Sequence, residues 1–139
     1  MVEQIDFYIL STAEYLPFAC HLLDKAYVDK HRIHVHTQSQ VDAENLNSLL
    51  WTFRDTSFIP HQLNYAATHH ETPITIGFDQ PINNNANILL ILAPTLLQEY
   101  TQYQRVIFIV PDEAAWKNWA RGTYKTLDDQ HSNLHVHKV

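Results

Sequence analysis

The chain has 139 residues and a mass of 16.2 kDa, the size of one compact domain, and its 45% hydrophobic content supplies an ordinary core without staples. The single cysteine, Cys20, excludes an internal disulfide framework and a multi-cysteine zinc site, and a net charge of −6 argues against gripping nucleic acid by bulk electrostatics. No apolar run is long enough to cross a bilayer, and the acidic, aromatic start MVEQIDFYIL lacks a basic leader, so a soluble cytoplasmic protein with no membrane contact is expected.

Residues 4 to 10, QIDFYIL, form a short apolar, β-branched and aromatic run that predicts a buried strand. Ser11 or Thr12 is placed to cap a helix running through Leu16, Cys20, Leu23 and Tyr27, with Glu14 as a capping-box partner and Pro17 confined to the first turn. RIHVHT (32 to 37) predicts a second strand. Ser39 or Asp42 then opens a second helix through Val41, Leu46, Leu49, Leu50 and Phe53. SFIPH (57 to 61) is better suited to an extended segment than to a helix, because Pro60 disfavours helical backbone before it.

ITIGF (74 to 78) predicts a short strand, and PINNNAN (81 to 87) a loop. NILLILA (87 to 93), the most hydrophobic run, predicts a central strand. A short helix from Pro94 and Thr95 to about Tyr103 follows, then a buried strand RVIFIV (105 to 110) and a last helix over roughly 112 to 127, opened by Pro111, Asp112 and Glu113. NLHVHKV (133 to 139) alternates polar and apolar residues, as a partly exposed strand at a sheet edge does. Near-continuous apolar strands alternating with helices predict a single α/β domain over residues 1 to 139, with a mostly parallel sheet and helices on both faces.

The two glycines, Gly77 and Gly122, are too few for a phosphate cradle, and neither the P-loop nor the dinucleotide fingerprint occurs. A nucleotide cofactor is therefore not expected. His34 with His36, and His135 with His137, are spaced to share a strand face, yet no acid or cysteine stands at a ligand interval, so surface histidines are favoured over a metal site. His69 and His70 lie in a polar stretch. Cys20, among Phe18, Ala19, Leu22 and Leu23, reads as core, and no catalytic carboxylate pair or nucleophile elbow is present.

The last helix is more informative. Trp116, Trp119, Ala120, Thr123 and Leu127 form its core stripe, whereas Lys117, Arg121, Tyr124 and Lys125 share another face. From 114 to 127 there are three cations and no acid, a local contrast in an acidic chain that suits an acidic peptide, with Arg121 placed for bidentate carboxylate binding and Tyr124 for an apolar wall; the alternative is a solvated helix face. Around Arg54, Asp55 and Thr56, a second cluster of Leu50, Trp51, Phe53, Phe58, Ile59 and Pro60 carries residue types common in cores and enriched in interfaces.

The opening DFYIL, the block LLWTFRDTSFIPH at 49 to 61 with Trp51 and Phe58 seven apart, VIFIVP at 106 to 111 and WKNWARGTYK at 116 to 125 together resemble the chi subunit family of the bacterial DNA polymerase III holoenzyme. The resemblance implies a clamp-loader accessory protein: a noncatalytic adaptor of nucleotide-binding-like topology without a phosphate loop. It implies two protein partners and contact with DNA only through them. The psi subunit, which tethers chi to the clamp loader, matches Trp51 and Phe58. The acidic C-terminal tail of single-stranded-DNA-binding protein matches Lys117, Arg121, Tyr124 and Lys125. In this chain Gly122 is expected to interrupt the helix, and Asp128 and Asp129 set acids beside its basic face. The competing reading from the residues is an enzyme, either a degenerate nucleotide hydrolase or a metal-dependent activity using the histidines.

Overall fold

The computed structural model describes residues 2–52, 61–63, 73–78 and 86–139. In chain order these hold β1 (Gln4–Ile9), α1 (Leu16–Val28), β2 (Ile33–Thr37), α2 (Gln40–Thr52), β3 (His61–Leu63), β4 (Ile74–Gly77), β5 (Ile88–Leu92), β6 (Arg105–Val110), α3 (Ala114–Gln130) and β7 (Leu134–Lys138). The strands make one seven-stranded sheet in the order β3-β4-β2-β5-β6-β1-β7, and each neighbouring pair is parallel.

Alternation along the inner strands divides the core into two layers. Ile88, Leu90 and Leu92 of β5 and Ile107 and Ile109 of β6 pack with Ala19, Cys20 and Leu23 of α1 and Ala43, Leu46 and Leu50 of α2. Leu89 and Ile91, Val106, Phe108 and Val110, and Ile5 and Phe7 of β1 face the other way, onto Trp116, Ala120 and Leu127 of α3. Burial on both faces is why these strands read as unbroken apolar runs, each fully buried aliphatic or phenyl group contributing about 1.5–3 kcal/mol. The predicted α/β fold, its parallel sheet and its helices on both faces are all present.

Local details depart from the sequence reading. α1 starts at Leu16 with Tyr15 before it and no side-chain cap, while Thr12 donates instead to the Glu14 carbonyl at 2.9 Å. A start at Ser11 or Thr12 would leave Pro17 beyond the first turn, where its ring clashes with the preceding turn. Ser39 caps α2, its Oγ accepting from the Asp42 N–H at 3.2 Å. Val41 is 64% exposed, because the buried stripe of Ala43, Leu46 and Leu50 lies on another side of that helix.

The helix predicted from Pro94 is instead irregular chain ending in a 3-10 turn at Gln98–Gln102, which buries Tyr100 and Tyr103. β3 occupies His61–Leu63, at the end of the predicted extended segment; Phe53 and residues 57 to 60 lie outside the described residues. α3 runs unbroken through Gly122 to Gln130, so that glycine does not interrupt it. Asp128 and Asp129 are exposed in its last turn.

Candidate functional site

α3 begins after Glu113, whose extended backbone turns the chain out of β6. Its aromatic residues fix its rotation: Trp116 meets Tyr15 edge-on at 5.3 Å, Trp119 tilts against Phe108 at 5.9 Å, and Tyr124 stands edge-on to Phe7 at 5.6 Å. With that side committed to the sheet, the i, i+4, i+7 and i+8 positions emerge along one margin of the helix. Lys117, Arg121, Tyr124 and Lys125, the four residues singled out by spacing, line one open groove of about 470 Å³.

The groove floor is apolar, made by Phe7 and Ile9 of β1, Val110 of β6 and Ala120 of α3. Its far wall is β7, through Val136 and Lys138. The register explains this: Val136 lies beside Phe7 and Lys138 beside Ile9, and neighbours in a parallel ladder share a face. Among the described residues, four cations and no acid line the groove. Lys117 is tethered at 2.5 Å to the exposed Asp112 carboxylate, and Arg121 donates a long 3.4 Å bond to Asn118. A cationic rim over an apolar floor suits an anionic segment that also carries an apolar side chain.

Val136 and Lys138 escaped the sequence reading. The alternation in NLHVHKV marked an edge strand, but its parallel pairing with β1, which places it across the groove from α3, is a long-range fact that alternation does not carry.

Trp51 lies in the last turn of α2 and is 52% exposed, on the far side of the fold from the groove. Phe58 lies outside the described residues, so its position relative to Trp51 is not part of the geometry.

The other polar candidates have structural surroundings. His34 is a correction to the surface reading: it is 2% exposed because β2 is an inner strand, it shares a 2.8 Å bond with Thr75, and burial, aided by His36, pushes its pKa down to about 4. His135 bonds Asn133 and His137 bonds Asp6. Among the described residues no three His, Cys, Asp or Glu side chains gather as a metal site. Cys20 is fully buried, and burial pushes its thiol up to about 12, a poor nucleophile. No helix among the described residues is long and apolar enough to cross a membrane.

Residues 2–135 match the family model described as DNA polymerase III chi subunit, HolC. The chain is 28% identical to the DNA polymerase III subunit chi of Pseudomonas aeruginosa, over 99% of this chain and 98% of that protein. It is 29% identical to the corresponding Haemophilus influenzae subunit, over 100% and 99%, and 26% identical to that of Escherichia coli, over 91% and 86%. With a match across nearly its whole length, the chain belongs to the DNA polymerase III chi subunit family.

Proposed function

We propose that this chi-family chain is a noncatalytic cytoplasmic adaptor of the replicative holoenzyme. It joins the clamp loader, through the psi subunit, to the acidic C-terminal tail of single-stranded-DNA-binding protein. The observation that carries the reading is the groove between α3 and β7, which gathers four cations around an apolar floor in a chain of net charge −6. Arg121 engages a tail carboxylate, Lys117, Lys125 and Lys138 add attraction, and Tyr124 walls a slot for an apolar side chain. Trp51, with Phe58, anchors psi: an exposed tryptophan is the residue type that most often dominates an interface.

The test is titration of a fluorescent acidic tail peptide at two salt concentrations. Binding is expected to weaken as salt rises while the apolar slot retains some affinity. Arg121→Glu replaces attraction with repulsion and is expected to cost about 2 kcal/mol or more, whereas Lys30→Glu, on an exposed residue outside the groove, changes little. Equal affinity for wild type and Arg121→Glu, or affinity indifferent to salt, refutes the assignment.

A further inference from the structure

β7 is an edge strand with a single sheet neighbour, β1, and four of its five residues are exposed. Such a strand is the first part of a sheet to fray. Yet it supplies a whole wall of the groove, so its position has to be fixed by something other than burial.

Besides the backbone ladder to β1, two sets of side-chain contacts tie it down. At its entrance, Asn133 donates to the Glu3 carbonyl at 2.9 Å, and Leu134 is half-buried against the α3 layer. Towards its exit the tie is His137, on the face turned away from the groove. Its ring stacks on Tyr8 of β1, with centroids 4.5 Å apart and planes 18° apart. Its Nε2 lies 2.9 Å from Oδ1 of Asp6, so the ring donates to that carboxylate. Asp6 is a firm anchor: its side chain is 1% exposed, and Arg105 of β6 holds the other oxygen at 2.8 Å. The His135 ring, by contrast, bonds Asn133 at the strand's own entrance and leans towards His137, and among the described residues its side chain adds no tie to β1.

We infer that His137 is a positioning residue for the groove: by clamping the end of β7 to Asp6 and Tyr8, it holds Val136 and Lys138 on the opposite face as the groove's second wall. The coupling is geometric. Successive strand residues point to opposite faces, so fixing the ring of residue 137 fixes the pleat that aims residues 136 and 138. Affinity for an anionic peptide therefore depends on a side chain the peptide never touches. This rests on the peptide-binding reading above, and the variants are chosen to separate the two.

The experiment measures affinity for the fluorescent acidic peptide and hydrogen exchange of the His137 and Val139 amides, the ones in this strand end that face β1, in the full chain. His137→Ala is expected to weaken the peptide roughly fivefold and to speed exchange at those amides about tenfold, because the backbone ladder to β1, with its 2.9 Å bond from the Val139 N–H to the Ile9 carbonyl, loses its side-chain support. His137→Gln places an amide N–H where Nε2 stood and restores most of both. Arg105→Gln removes a partner from the same carboxylate without touching β7, and because the Gln4 amide still holds that oxygen at 2.9 Å it leaves affinity within about twofold of wild type. Wild-type affinity in His137→Ala while Arg121→Glu loses binding overturns the positioning role alone. So does equal weakening in His137→Ala and His137→Gln, or equal weakening in Arg105→Gln. Undiminished affinity in Arg121→Glu overturns the peptide reading and the positioning role together.

Discussion

Asp6 is a carboxylate inside a sheet, beside Phe7 and one strand away from Ile107. Burial alone raises its pKa, but the bonds from His137, Arg105 and Gln4 outweigh that penalty and hold the carboxyl below its ordinary value. A carboxyl depressed in the folded state contributes stability above its unfolded pKa, and the contribution is lost as pH falls through the folded value. Arg105→Gln leaves the buried charge short of a partner. It is expected to cost about 2 kcal/mol at pH 7, less than a fully buried pair because the guanidinium is partly exposed. In urea denaturation the gap between variant and wild type narrows as pH drops below the carboxylate range, because Asp6 is then protonated in both. Equal stability at pH 7, or a gap that widens in acid, contradicts this account. His34 shows the opposite solution to burial: it stays neutral and shares its bond with Thr75, so it offers a partner no charge.

Among the elements, α3 has the widest reach, with one side in the core and one margin on the groove. Gly122 sits exposed in its middle, with nothing within 4 Å of where a Cβ would stand. Gly122→Ala removes a flexible residue from a helix interior and is expected to stabilise the fold by about 0.5–1 kcal/mol, leaving peptide affinity unchanged. Thermal unfolding measured beside a peptide titration checks both parts; a lowered midpoint means the space is not open. The stripe of α3 was legible because 3.6-residue periodicity is a local property, and so was its basic margin. The strands were legible because inner parallel strands are apolar throughout. Three features were not. The start of α1 depends on Pro17 more than on the nearest serine, and β3 is three residues, HQL, with no apolar run to announce it. The groove's second wall depends on β7 lying parallel beside β1, a pairing that no local pattern encodes.

At the scale of the whole molecule, the sheet order sets the two proposed partner sites apart. α2, which carries Trp51 in its last turn, packs over β2, β4 and β3, whereas the groove lies at β1 and β7 at the other end of the sheet. α2 and α3 also cover opposite faces. With strands spaced about 4.8 Å apart, the three to six strand steps between the two sites make a lateral separation on the order of 15–30 Å, beyond the range at which neighbouring substitutions couple. On the proposed reading, both partners are expected to bind at once without communication between them. Trp51→Ala, at an exposed position, is expected to weaken psi binding by more than about tenfold with little loss of fold stability, and to leave tail-peptide affinity untouched. Arg121→Glu does the reverse. The double variant loses the sum of the two effects to within about 0.5 kcal/mol, and saturating psi shifts peptide affinity by less than about twofold. Calorimetric titration of peptide into the free chain and into its psi complex reads this directly. A larger shift would mean that the sheet transmits one partner's presence to the other, and the two sites would then have to be treated as a coupled pair.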